Sequence, residues 1–192
     1  MRKDFYIFRH GETEFNVQHR QQGSGIDMEL TAKGKAQALV LAAKLKPYHL
    51  ETIFSSPLKR ALQTAQTAAD FCACPVVIKD DLRECFYGDA EGMLQSELAV
   101  KYPEVYQNWG NPEVWNIAYP NGESKKAALD RVWRQIEKLL QEPCTVCGVA
   151  IHGGTMGSLL NYLHYDFAKI ENCAVFHLIY NDGKWQMDGD LF

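Results

Sequence analysis

Apolar, β-rich runs recur along the chain at residues 5–8, 52–54, 76–78, 146–151 and 174–180. Stretches with helical spacing lie between them: 32–46 behind the N-cap candidate Thr31, 57–71 behind Ser56 with Pro57 in the first helical position, 125–141 behind Ser124, and a segment after Gly157. Strands alternating with helices predict a mostly parallel sheet covered on both faces, a three-layer α/β/α sandwich. Such sheets bind their ligands beyond the carboxyl ends of the strands. Residues 93–119 break the rhythm, crowding Tyr102, Tyr106, Trp109, Trp115 and Tyr119 into a stretch that Pro103 and Pro112 interrupt. Too aromatic for a linker, this segment reads as a partly helical, lid-like insertion.

Composition narrows the class. With 192 residues, 46% hydrophobic and 23% charged, the chain is expected to form one domain over residues 1–192. A formal charge of −4 with scattered Lys and Arg gives no footprint for nucleic acid, so a phosphate-bearing partner must be held locally. The first apolar run is too short for a signal sequence and no membrane-spanning stretch follows, so a cytoplasmic protein without a membrane partner is expected. The six cysteines read as reduced thiols. Cys144 and Cys147 form a C-x-x-C, but Cys72 and Cys74 have the wrong spacing for a second zinc pair, and Cys147 leads into a strand rather than a redox-type helix.

Two stretches carry the chemistry. "IFRHGET" at 7–13 and "VAIHGGT" at 149–155 both run an apolar strand into His-Gly-x-Thr. If the two strands are central and parallel, their ends bring Arg9, His10 and His152 to one rim, with Gly11 permitting the turn. "SSPLKRALQTAQ" at 55–66 places Lys59 and Arg60 near a helix start, where cations oppose the macrodipole unless an anion binds there. Two arginines, two histidines and exposed glycine amides make a phosphate-sized cage. Gly153-Gly154-x-x-Gly157 lacks the dinucleotide order, and no H-E-x-x-H spacing supports a metal.

These residues resemble the histidine phosphatase superfamily, the phosphoglycerate mutase-like group. The resemblance rests on Arg9-His10-Gly11, extended by Glu12, Thr13, Asn16, Gln22-Gly23, Asp27, Leu30-Thr31, Gly34 and Gln37-Ala38. It continues through "SSPLKRALQTA" at 55–65, "LRECFYGDAEG" at 82–92, "PNGES" at 120–124 and "VAIHGG" at 149–154. It implies that His10 is the nucleophile, that His152, Arg9 and Arg60 are its electrostatic clamp, and that Glu84 is the general acid. Asn16, Gln22, Gly23 and Gly153 become phosphate contacts. The residues alone do not separate Glu84 from Glu12, Glu14 and Glu91.

The chain also departs from the family's mutases. Cys85 and Phe86 stand where those carry an Arg-His pair, and Lys101 is the one cation in 93–119 against Glu97, Glu104 and Glu113. This favours a metal-independent, cofactor-free phosphatase acting on a small phosphorylated metabolite with an apolar or aromatic leaving group. The alternatives are a cofactor-dependent phosphoglycerate mutase, for which Arg20, Lys59 and Arg83 could supply charge, and a non-catalytic phospho-ligand-binding or scaffold protein. Oligomeric state is not legible.

Overall fold

Alternation along the first strand sets the layout. In the computed structural model, which describes residues 1–189, β1 (Arg2–Arg9) turns Phe5 and Ile7 into one core and Tyr6 and Phe8 into another. Residues 190–192, the end of the expected 1–192 span, lie outside that description.

The remaining elements follow in order: α1 (Glu14–Val17), α2 (Ala32–Leu45), β2 (Thr52–Ser55), α3 (Lys59–Cys72), β3 (Val76–Ile78), α4 (Gln95–Lys101), α5 (Pro103–Asn108), α6 (Lys125–Lys138), β4 (Val146–Ile151), α7 (Gly153–Tyr162), β5 (Val175–Asn181) and β6 (Lys184–Asp188). The sheet runs β3-β2-β4-β1-β5-β6. Its first four strands are parallel, whereas β5 and β6 pair antiparallel.

Each face has its own helix layer. On one, Leu41, Ala42 and Leu45 of α2 and Ala61, Ala65, Ala68 and Ala69 of α3 close over Tyr6, Phe8 and Ala150. The small α3 residues let that helix lie close to the sheet. On the other, Val132 and Ile136 of α6 and Met156, Leu159 and Leu160 of α7 cover Phe5, Ile7, Val149 and Ile151. Arg9 pairs with Ile151 in the β1–β4 register, so the two His-Gly stretches leave the sheet side by side.

Several boundaries differ from expectation. The third helix does not begin at Pro57. It starts at Lys59, with Leu58 as an N-cap lacking a side-chain bond. Asp27 Oδ1 accepts from Lys59 N at 2.7 Å and fills the place where an anion was expected. Ser56 is taken up elsewhere, as described below. The last helix begins at Gly153, not after Gly157. Gly11 does not occupy left-handed backbone. A Cβ there would stand 2.5 Å from Gly34 O, so the loop's close approach to α2 is what excludes a side chain. Strand β6 was not expected at all.

The 93–119 insertion contributes α4 and α5 and buries its aromatics mostly among themselves. Tyr102 and Trp109 pack on Tyr119 at centroid distances of 5.6 Å each, and Tyr87 meets Trp109 edge-on at 5.0 Å. All six cysteines are unpaired. Among the described residues no helix is long and apolar enough to cross a membrane.

Candidate active site

A cavity of about 380 Å³ opens at the carboxyl ends of β1 and β4. Arg9, His10, Arg60, Glu84, Gly23 and Gly153 all line it, as do Asn16 and Gln22. His152 is wholly buried and does not line it, but its ring lies 5.3 Å from that of His10.

The polypeptide decides which nitrogen of His10 is free. Nδ1 lies 2.7 Å from Gly11 O, and a carbonyl oxygen only accepts, so Nδ1 carries the proton and Nε2 keeps its lone pair. The loop is held from both sides. Gly11 N donates to Thr64 Oγ1 at 3.0 Å, and His10 O accepts from Asn172 Nδ2 at 3.1 Å. Burial, then the charges of Arg60 and Arg9, push His10 well below its ordinary 6.5. The imidazole is therefore neutral at physiological pH.

His152 is oriented by Ser56. The Ser56 hydroxyl accepts from Leu58 N at 3.3 Å and lies 2.7 Å from His152 Nε2. A hydroxyl that accepts one bond can either donate to Nε2 or accept from it, and the other ring nitrogen, Nδ1, is buried without a partner among the described residues. Burial and Arg60 likewise push His152 well below 6.5.

The two guanidiniums are unusual in what they lack. Arg60 is 1% exposed and gives Nη1 and Nη2 to the carbonyls of Ile26 and Gly23 at 3.0 and 2.7 Å. Arg9 Nη1 donates to Ile170 O at 2.6 Å. Among the described residues neither forms an ion pair, and the Nε of each is buried without a partner. Buried positive charge of this kind costs free energy unless an anion completes it.

Glu84 sits at the start of α7. Its Oε1 accepts from Cys85 N and Thr155 N, both at 2.9 Å, and its Oε2 accepts from Gly154 N at 2.8 Å. Gly154 must stay bare, because a Cβ would fall 2.0 Å from Tyr87 Oη and 3.0 Å from Glu84 Oε1. The loop carrying Glu84 is pinned by Arg131 of α6, which donates to the carbonyls of Asp81, Arg83 and Glu84 and pairs with Glu123 at 2.8 Å. The other carboxylates are turned elsewhere: Glu12 pairs with Lys33, Glu14 accepts from Gln18 Nε2, and Glu91 caps the amides of Gly25 and Tyr87.

Asn16 and Gln22 differ in how far they are prepared. Asn16 Oδ1 already accepts from Thr13 N, Thr13 Oγ1 and Asn172 Nδ2, so the amide's donor end is Nδ2. Gln22 is 7% exposed, and its Oε1 has no partner among the described residues. Of the cations outside the cage, Arg20 lines the cavity, whereas Lys59 and Arg83 do not. Only Trp109 among the five insertion aromatics lines it, joined by Tyr87, Phe167, Ile170 and the amides of Gln21, Gln95 and Asn161. The outer cavity is therefore mixed rather than mainly aromatic. No cluster of three or more metal-ligating side chains occurs among the described residues.

Sequence reasoning missed Asn172, Ser56 in its bond to His152, Arg131 and Tyr87. Only Tyr87, three residues after Glu84, carried a signal of position. The others act across loops that no local pattern joins.

Comparison with known proteins bears on this geometry. The family model of the histidine phosphatase superfamily (branch 1) matches residues 5–189. The chain belongs to that superfamily. An uncharacterized phosphatase, PhoE, of Bacillus subtilis strain 168 is 31% identical over 187 residues, covering 94% of this chain and 90% of its own. A probable phosphoglycerate mutase, GpmB, of Escherichia coli is 30% identical over 194 residues, covering 96% and 88%. Among solved structures, a mycobacterial glucosyl-3-phosphoglycerate phosphatase in complex with VO3 superposes with a TM-score of 0.85 at 26% identity, covering 97% of each chain. This member of the histidine phosphatase superfamily is an enzyme of the phosphatase and mutase type.

Two neutral buried histidines give a member of the superfamily so built a pH signature. Below 6.5 the unfolded chain protonates both imidazoles while the folded chain resists, so stability falls as pH falls, by up to about 1.4 kcal/mol per pH unit for each. Urea unfolding at pH 7.5 and 5.5 tests this. The wild type is expected to lose more stability between the two than His10→Gln, and equal losses would contradict a neutral His10.

Proposed function

We propose that the protein hydrolyses small phosphate monoesters through a phosphohistidine on His10, without a metal ion or cofactor. The observation that carries the proposal is the unprotonated His10 Nε2 set beside two buried guanidiniums that form no ion pair among the described residues. Arg9 and Arg60 provide the positive charge that a metal ion would otherwise bring to the equatorial oxygens, and the neutral His152 ring stands 5.3 Å from that of His10 beside them.

In the first step the Nε2 lone pair attacks phosphorus in line. The N–P bond forms, the ester P–O bond breaks, and Glu84 gives its proton to the departing oxygen. Oε2 of Glu84 accepts one amide bond and Oε1 accepts two, so Oε2 has room for that proton. The three amides then stabilise the carboxylate left behind. In the second step water attacks phosphorus as Glu84 takes its proton, the N–P bond breaks, and inorganic phosphate leaves. A cytoplasmic setting belongs to the proposal, in keeping with six unpaired thiols.

A mutase must hold a phosphorylated acid while it reorients over the phosphohistidine. Arg20 on the cavity wall and the likeness to GpmB favour that second reading. Against it, the 93–119 insertion puts Trp109 and Gly110 on the cavity but not its one cation, Lys101. Incubation with 3-phosphoglycerate and a trace of 2,3-bisphosphoglycerate separates them. Free phosphate is expected to outpace 2-phosphoglycerate, with chelator having no effect. Isomerisation that outruns hydrolysis would make the protein a mutase.

A further inference from the structure

Lys125 is a chemical oddity that the reaction does not use. It is the first residue of α6, 1% exposed, and among the described residues it has no carboxylate partner. An ammonium has three hydrogens to place. Its Nζ donates one to Asn111 O at 2.7 Å and lies 4.5 Å over the ring of Trp115. Burial with so little compensation brings its pKa down to about 8. A cation at the positive end of a helix is also placed against the dipole.

Asn111 and Trp115, the two groups that this ammonium engages, both belong to the insertion. The backbone around it makes the same junction: Lys125 N donates to Ile117 O at 2.9 Å and Lys126 N to Trp115 O at 3.0 Å, so the insertion's carbonyls satisfy first-turn amides of α6. One residue before Asn111 stands Gly110, whose carbonyl accepts from Asn161 Nδ2 at 3.3 Å, and before it Trp109. Trp109, Gly110 and Asn161 all line the cavity that holds His10.

We infer that Lys125 is a positioning residue, which through Asn111 holds the wall formed by Trp109 and Gly110 against the part of the cavity that receives the leaving group. The inference rests on the phosphatase reading for its kinetic consequence, though not for its structural one. The phosphate itself is held by Arg9, Arg60 and the His10 loop, none of which Lys125 touches. Loss of the ammonium therefore loosens recognition of the leaving group and leaves the phosphate subsite intact.

Lys125→Met keeps the length and apolar stem of the side chain and removes the charge. With p-nitrophenyl phosphate, KM is expected to rise about tenfold with kcat within about twofold, the pattern of lost binding common to ground and transition states. Ki for inorganic phosphate is expected to be unchanged. Amide hydrogen exchange over residues 108–117 is expected to quicken while the melting temperature holds, because a buried lone ammonium contributes little to the fold. An unchanged KM and unchanged exchange would overturn the inference. So would a parallel rise in KM and phosphate Ki, which would mark general damage. Should the wild type turn over no ester at all, the phosphatase reading fails on its own, and exchange at 108–117 still decides the role of Lys125.

Discussion

His10→Ala is expected to lower turnover by about 10⁴-fold or more while the protein stays folded and still binds inorganic phosphate. The loss is large because no neighbour can take over. His152 presents Nε2 to Ser56, is wholly buried and does not line the cavity, so it is not placed to attack phosphorus. Binding survives because both guanidiniums are anchored on carbonyls of Ile170, Ile26 and Gly23, not on His10. Steady-state kinetics on p-nitrophenyl phosphate, with phosphate affinity measured by calorimetry, checks both halves. A variant within tenfold of wild type would remove His10 from the chemistry. A variant that also fails to bind phosphate would mean that His10 builds the cage rather than attacking within it.

The second large effect is expected at Glu84. Glu84→Gln should slow esters of alkyl alcohols by about 10² to 10⁴, the usual contribution of general acid catalysis. Esters of p-nitrophenol should suffer less, because that leaving group departs without a proton. Part of the loss will be common to both: when the amide oxygen keeps the bonds from Cys85 and Thr155, its nitrogen faces the N–H of Gly154, donor against donor. The ratio between the two ester classes isolates proton transfer from that displacement. Equal losses would leave Glu84 a structural cap for α7, and the acid would then have to be sought elsewhere.

How much of this was legible in the sequence depends on range. The central strands could be read because β1 carries the apolar run 5–8 and β4 is apolar throughout, and their shared His-Gly ending located the rim before any geometry was known. Arg60 was visible as a cation misplaced near a helix start. The reason it is tolerated was not: Asp27, thirty-two positions earlier, caps that start, and the guanidinium turns inward to Gly23 and Ile26.

Ser56 before Pro57 carries every local mark of an N-cap, yet its hydroxyl serves His152, ninety-six positions away. Tertiary demand overrode the local preference. Strand β6 escaped because Trp185 and Met187 alternate with exposed polar residues in a run too short to stand out, although Asp182-Gly183 between two extended stretches was a usable hairpin signal. The aromatic insertion is legible as an insertion, but which of its rings face the cavity is not. Whether a ring lines a cavity or packs on another ring depends on contacts such as Trp109 with Tyr119 that no spacing encodes.

Glu84 was singled out by resemblance alone. The structure supplies a physical ground for the choice, since of the four carboxylates considered it is the one that lines the cavity, while Glu12 and Glu14 engage Lys33 and Gln18 and Glu91 is committed to the loop beneath Arg60.

The most direct test of the account is to catch the intermediate. The wild-type enzyme, mixed with a ³²P-labelled monoester and quenched in alkali within the first turnover, is expected to carry phosphate that withstands alkali, is lost in acid, and maps by peptide sequencing to His10. Label on any other side chain, or burst-phase release of inorganic phosphate with no protein-bound label at any quench time, would contradict it.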